Sequence, residues 1–571
     1  MSAAESLDGA PRLVDLLLAE QRTLRAVDEF STWHASRDSA SARFETLIPG
    51  ALPGEGQQFA FAVDLDSCTG CKACVTACHS LNGLEVGETW RKVGEIESQY
   101  ASFDTPPHRQ TVTTACHHCE DPACLAGCPV RAYDKDPVTG IVIHLDDQCI
   151  GCRYCQLMCP YDVPQFSERL GIVRKCDMCH GRLAAGEAPA CVQGCPNEAI
   201  SIEIVDLTVP REALLLPMLP GGLPPSSLTR PTTRYRTQRA PATLLRSVEG
   251  FEAQPAEPHL PLAVMLVLTQ AAIGTLFFDL VLAKAFPAST GLEVRWIALL
   301  AAALMGFAGL GSSVFHLGRP QWAFRAFLGL GTSWMSREIV VFGGFAAALA
   351  AALCTSAAGL LDAAGWGGWV GVFAGLDGAA RTSALATGLA GLFCSVKIYA
   401  VTGRPLWRFD RTALRFGATT VLLGLAVAAF ARTLDGRAAG AELALPLALA
   451  LALGLVSSLK LRGERGLLIH GDPGHDDAAL ERTRALFGRP LAPASRMRRS
   501  LGLVCGVALP LAVVGLPLAG DVSLVRSAVL FFCVLGCLVG EIVERDLFFR
   551  GEAMRGMPGP SGSAVEIRRA A

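Results

Sequence analysis

The chain is short of histidine, short of net charge and short of any export signal, and each shortage removes a class of function. Its 571 residues hold 50 Lys and Arg against 52 Asp and Glu, a formal net charge of -2, so bulk charge offers no case for a nucleic-acid partner. Of 11 histidines only His316 sits beside a strongly apolar run, while His259, His470 and His475 fall in polar or linker sequence. A bis-histidine haem needs two inside a helical bundle, so no haem b is expected. Met1 to Arg12 has no basic n-region, no apolar h-region and no twin arginine, so the cysteine-rich half is expected to stay in the cytoplasm. A reducing compartment disfavours disulfides, and closely spaced cysteines there read as metal or cluster ligands.

Cysteine itself is abundant. Of 21 cysteines, 16 lie in four groups of four. They are Cys68, Cys71, Cys74, Cys78; Cys116, Cys119, Cys124, Cys128; Cys149, Cys152, Cys155, Cys159; and Cys176, Cys179, Cys191, Cys195. Three thiolates two residues apart can wrap three irons of one cubane, and a fourth, three residues on, is carried away to a second cluster. Each pair of groups is therefore expected to hold two [4Fe-4S] clusters. Zinc would use CxxC pairs two at a time, with no reason for a third close cysteine or for the prolines Pro129, Pro160 and Pro196 that come directly after three of the groups. Short alternating runs at Phe59 to Leu65, Ile141 to Leu145 and Ala199 to Val205 read as strands flanking the groups. Clusters make this half more acidic than its residue count, so basic loops nearby are expected.

The four-group spacing, over roughly Phe59 to Val205, resembles the four-cluster electron-transfer subunits of the molybdopterin oxidoreductases, typified by the dimethyl sulfoxide reductase iron-sulfur subunit. The resemblance implies clusters on Cys68, Cys71, Cys74 with Cys195; on Cys78 with Cys176, Cys179, Cys191; on Cys116, Cys119, Cys124 with Cys159; and on Cys128 with Cys149, Cys152, Cys155. Spacing alone shows only that sharing occurs. Cys152 stands where the nitrate reductase branch has Trp and a three-iron cluster, so four cubanes are implied here. The first group ends Cys78-His79 and lacks the proline, a departure from the pattern.

Hydrophobic residues reach 51% and mean hydropathy +0.37, and they crowd into the second half. Ten prolines between Pro210 and Pro261, with Gly221 and Gly222, predict a tether without long regular elements. Its Arg230, Arg234, Arg236, Arg239 and Arg246 suit either anionic headgroups or the acidic cluster domain. From Leu260, eight apolar stretches are each long enough to span a membrane: about 260–283, 295–315, 339–361, 381–401, 412–432, 441–460, 500–519 and 523–544. With the N-terminal half inside, cytoplasmic segments carry twenty-one Lys or Arg and external ones six, the positive-inside rule at every loop pair. Leu13 to His34 reads as an amphipathic helix. Trp296, Trp366 and Trp369 read as interfacial anchors, and Cys354, Cys394, Cys505, Cys533 and Cys537 as packing residues.

Quinol oxidation releases two protons, so its site needs an imidazole or carboxylate to accept them. His316 and Glu338 flank one predicted cytoplasmic loop, on the face where the cluster domain must sit. Phe315-His316-Leu317-Gly318-Arg319-Pro320, Ser336-Arg337-Glu338-Ile339, Val396-Lys397-Ile398-Tyr399 and Gly540-Glu541 resemble the dimethyl sulfoxide reductase membrane-anchor family, eight-helical and haem-free. That resemblance implies roles for His316 and Glu338 in menaquinol oxidation. Lys397, where the family usually has Arg, and Tyr399 are weaker quinol-site candidates. Asp279 and Glu541 are charges within spans, where an unpaired group is costly.

The expected fold is thus an α+β duplicated ferredoxin-like domain followed by an all-α eight-helix transmembrane bundle. Its parts are an N-terminal helical extension (1–55), the cluster domain (56–209), a Pro-rich basic linker (210–259), the membrane anchor with the quinol site (260–550) and a tail (551–571). The expected function is an electron-transfer and anchor subunit in a bacterial inner membrane, termini and clusters cytoplasmic. It oxidises menaquinol or ubiquinol from the quinone pool and delivers electrons to a molybdopterin-containing catalytic subunit. The same wire run backwards, from a sulfite-oxidising subunit to quinone, is the alternative. An ion-translocating module is another, and needs a chain of acidic or His groups across several spans, where the sequence places few. A plain docking scaffold is the third.

Overall fold

The computed structural model describes residues 44–98, 109–208, 226–238, 245–247, 254–287, 291–365, 369–434, 444–469, 477–516, 523–552 and 557–558. The helix expected over Leu13 to His34, Trp366, His470 and His475 lie outside the described residues.

Strand β1 (Gln57–Asp64) pairs antiparallel with β8 (Ile200–Asp206), so the first and last cysteine groups are closed by one sheet. The register sets Phe59 opposite Ile204, Phe61 opposite Ile202 and Val63 opposite Ile200, which packs apolar cross-strand pairs into the core between the groups. β2 (Lys92–Ser98) pairs with β3 (Arg109–Thr114). The hairpins β4 (Tyr133–Lys135) with β5 (Val142–His144) and β6 (Gln165–Ser167) with β7 (Ile172–Arg174) bracket the third group. Three sequence-expected strands are therefore present, shifted by one or two residues.

The linker is more ordered than its prolines predict. β9 (Arg234–Arg236) adds parallel to β1, and β10 (Leu245–Ser247) adds antiparallel to β2. Exposed sheet edges accept any chain with free backbone donors, so three residues between prolines suffice. Arg230 pairs with Glu120 and Asp121, and Arg236 with Glu203, so these linker arginines meet the cluster domain rather than headgroups.

Among the described residues, eight helices are long and apolar enough to cross a membrane: Leu260–Ala285, Leu292–His316, Trp334–Ala363, Gly371–Ala400, Phe409–Thr433, Ala444–Gly466, Ala492–Gly515 and Ser523–Arg550. Most run past the expected ends, and for the seventh the reason is charge pairing. Composition stops a span at its first ionisable residue, whereas Arg498 of the seventh span reaches Glu464 and Glu541 and is thereby buried. The seventh span also holds a π turn at Val504–Ala508 just before Pro510, which cannot donate to the regular ladder. The first and fifth spans meet backbone to backbone at Gly274 and Gly424, where a Cβ on Gly274 would lie 2.0 Å from the Thr420 carbonyl oxygen. Trp296 packs on the bundle core, Cys354 is exposed, and Cys394, Cys505, Cys533 and Cys537 are buried.

Candidate redox and quinol site

The cysteine loops curl because their sequence supplies left-handed turns. Gly70 (φ +72°) and Gly151 (φ +67°) occupy the same place in Cys68-Thr69-Gly70-Cys71 and Cys149-Ile150-Gly151-Cys152, and Lys72 and Arg153 repeat the conformation one residue after the second cysteine. The sixteen thiols fall into four neighbourhoods. Cys68, Cys71, Cys74 and Cys195 line one cavity, and Cys116, Cys119, Cys124 and Cys159 line another. Cys78 lies among Cys176, Cys179 and Cys191, and Cys128 among Cys149, Cys152 and Cys155. Four thiols round one cavity are the donor set of a cubane, so the residues fit the group.

Burial pushes the Cys78 and Cys124 thiols up to about 12 and Cys159 up to about 11. Two buried cations stand among them that sequence reasoning missed. Arg91, 2% exposed, lies against Cys191, Cys74, Cys176 and Cys78; Lys175, 3% exposed, lies against Cys116, Cys124 and Cys176. Burial opposes both charges, and the sulfurs outweigh it and hold both groups above their ordinary values. The basic counter-charge therefore sits inside the domain, supplied by residues that in sequence are ordinary strand-flanking cations.

The loops of the second and third groups dock on the anchor, on the stretch between the second and third spans. Arg319 N–H donates to the Ile150 carbonyl (3.0 Å), and Arg325 Nη1 to that of Asp147 (2.7 Å). Gly329 N–H reaches the Pro129 carbonyl (2.8 Å), and Ser333 Oγ donates to that of Gly127 (2.7 Å). Tyr154, between Cys152 and Cys155, is 1% exposed and belongs to the apolar core of the helix bundle; its hydroxyl donates to the Ile398 carbonyl at 2.8 Å.

Glu338 lies in the third span, 6% exposed, and accepts a hydrogen bond from Ser395 of the fourth; Tyr154 and Tyr399 are its electrostatic neighbours. It does not pair with Arg337, whose guanidinium donates to the carbonyls of Leu330 and Gly331. His316 ends the second span, its Nδ1 against the Ser313 carbonyl and its Nε2 buried without a hydrogen-bond partner among the described residues. No hydrogen bond or ion pair joins His316 to Glu338: Arg153 is near the first, and Tyr154 near the second. His259, a linker residue by sequence, stands near His316 and packs edge-on to Phe549. Tyr399 is buried among Trp407, Phe416, Phe548 and Phe549, and the Lys397 ammonium lies over the rings of Trp334 and Phe409.

The expectation of few intramembrane charges is corrected. Asp279, Arg295, Asp377 and Arg381 interlock near one end of the bundle, and Arg415, Lys460, Arg498, Glu541, Glu544 and Arg545 nearer the other. Most of the partners are far apart in sequence, and only helix packing shows that they neutralise one another.

Residues 255–550 match the family described as the DMSO reductase anchor subunit (DmsC), and residues 108–204 match a 4Fe-4S dicluster domain. The B subunit of the anaerobic dimethyl sulfoxide reductase of Escherichia coli K12 is 37% identical over 205 residues, 35% of this chain and 98% of that protein. Its Haemophilus influenzae counterpart is 33% identical over 207 residues, 35% of this chain and 99% of that protein. The hydrogenase-2 operon protein HybA of Escherichia coli O157:H7 is 34% identical over 184 residues, 28% of this chain and 54% of that protein. With a ferredoxin-type domain ahead of eight candidate membrane spans, the chain belongs to the DMSO reductase anchor subunit family and is a membrane-anchored iron-sulfur electron-transfer subunit in which that anchor is fused to a domain similar to the reductase B subunit.

Proposed function

We propose that this subunit oxidises menaquinol or ubiquinol at its cytoplasmic face and delivers the electrons to a molybdenum-containing catalytic partner of dimethyl sulfoxide reductase type. Four [4Fe-4S] clusters, held by the four thiol sets, supply one-electron carriage when bound. A quinol gives up two electrons and two protons, and its two hydroxyls lie on opposite sides of its ring. Two acceptors on separate flanks suit it: the Glu338 carboxylate, oriented by Ser395, and the unpartnered Nε2 of His316. Their separation by Arg153 and Tyr154 is then part of the design, since each base serves one hydroxyl. The apolar wall around Glu338 keeps water from the reacting oxygen.

One observation carries this reading. Tyr154 comes from the ligand loop Cys152 to Cys155, yet is buried in the anchor core beside Glu338. A thiol set therefore adjoins the carboxylate without an intervening layer of solvent. The excess of Lys and Arg on the loops at this end supports a cytoplasmic cluster domain.

The test is menaquinol-driven cluster reduction in membranes containing the complex, for His316→Leu and Glu338→Gln, with dithionite reduction as the control for intact clusters. A fall of about 10²-fold is expected when a general base is lost. Unchanged quinol-driven reduction in both variants overturns the reading.

A further inference from the structure

Most cations near the docked end of the bundle already have partners of opposite or complementary polarity. Arg319, Arg325 and Arg404 donate to carbonyls of the cluster domain. Arg415, Lys460 and Arg498 face carboxylates, and Arg408 pairs with Asp410. Arg337 and Lys397 differ. Both lie over one ring, with the Arg337 guanidinium carbon 4.5 Å and the Lys397 Nζ 5.2 Å from the Trp334 centroid. Neither forms an ion pair among the described residues. The Nε and Nη2 of Arg337 donate to the Leu330 and Gly331 carbonyls at 3.0 and 2.8 Å, which fixes the guanidinium and leaves its Nη1 available; the Lys397 ammonium makes no hydrogen bond.

Their setting is that of a lipid headgroup. Arg337 is in the first turn of the third span and Lys397 in the last turn of the fourth, so both lie at one depth, the depth at which Trp, Lys and Arg collect in membrane proteins. The side chains around them are apolar and open to the outside: Phe393 is 49%, Phe409 47% and Ile339 42% exposed. Two unpaired cations at the edge of hydrocarbon are costly unless an anion meets them.

We propose that Arg337 and Lys397 bind the phosphate of an anionic phospholipid, with Trp334 as the platform they share and Phe393, Phe409 and Ile339 against its acyl chains. The planar guanidinium and the point charge of the ammonium approach the phosphate oxygens from two sides. A lipid with no cationic headgroup is preferred, because choline would set a third positive charge beside these two. The proposal rests on the membrane assignment alone, and holds for either direction of electron flow. The lipid would lie on the outer side of the helix pair whose inner side carries Glu338 and Ser395.

The test uses the delipidated full chain in a non-ionic detergent, titrated with phosphatidylglycerol, with phosphatidylcholine and with inorganic phosphate, and read by native mass spectrometry. The parent should retain phosphatidylglycerol about tenfold or more over phosphatidylcholine, a preference set by two cations. The double variant Arg337→Gln, Lys397→Gln should lose that preference, and Lys397→Arg should keep it. Iron content and helical circular dichroism check the fold; should the double variant fail to fold, Lys397→Gln is read by the same criteria. The proposal is overturned if the variant retains phosphatidylglycerol like the parent, or if phosphatidylcholine binds equally. Displacement by millimolar inorganic phosphate alone would also overturn it, as a free-anion site, and so would displacement by menaquinone, which would assign these residues to quinol instead.

Discussion

Gly318, the glycine of His316-Leu317-Gly318, is where the anchor's backbone lies on that of the cluster domain, and Gly318→Ala tests whether that contact sets electron delivery. Its φ is not in the left-handed region, so alanine is conformationally acceptable and any effect is steric. A Cβ there would lie 2.1 Å from the Gly171 carbonyl oxygen and 2.6 Å from its carbon. The facing backbones must part by more than about 1 Å to restore ordinary contact. That strains the bonds from Gly318 N–H to the Gly151 carbonyl (3.3 Å) and from Arg319 N–H to the Ile150 carbonyl (3.0 Å). Two backbone hydrogen bonds at about 0.5 to 1.5 kcal/mol each, with overpacking at about 1 to 3 kcal/mol, put roughly 2 to 6 kcal/mol against the docked state. Docking should weaken at least about thirtyfold. The assay is the rate of menaquinol-driven cluster reduction in membranes, with dithionite showing that the clusters are intact. Gly331→Ala is the control, since nothing lies within 4 Å of a Cβ there. Parental rates in Gly318→Ala would refute the reasoning, because a displaced cluster domain cannot be reduced as fast as a docked one.

Arg381→Leu should destabilise the bundle by about 3 to 5 kcal/mol in chemical denaturation, because it removes the partner of Asp279 (3.0 Å) and Asp377 (2.9 Å) at a site 1% exposed. Burial raises Glu552, just past the last span, to about 7, with Arg404 pulling the other way. The folded chain then keeps a proton that an unfolded carboxyl, ordinarily near 4.5, has released, so stability should fall as pH rises from about 4.5 to about 7 and level off above. Glu552→Gln should flatten that profile of Tm against pH; an unchanged slope would assign it to another group. Iron and acid-labile sulfide should each reach about sixteen per chain, four cubanes' worth, and loss of Cys152 should remove about a quarter; zinc in place of iron would end the cluster reading.

Much was legible in the sequence because it is written in local patterns. Cysteine spacing is a short-range signal, and a run of twenty apolar residues needs no knowledge of its neighbours to be a membrane span. The two domains, the eight helices and the family followed from these patterns. Loop charge, also local, set the expectation for orientation. Pairing was different. Lys460, Arg498 and Glu541 are far apart in sequence, and each alone is a costly charge in or at the end of a span; only packing shows that they occupy one another's field. The same holds for Arg91 and Lys175, whose burial among sulfurs comes from strand register rather than from any motif. Tyr154 is the clearest case. It reads as an ordinary residue inside a cysteine group, and acquires its place because the loop that holds it is pressed into a bundle that begins a hundred residues later. What chemistry each half can carry was settled by covalent order; where the two halves touch was decided by tertiary structure, since contacts across such distances depend on shapes that no local pattern encodes.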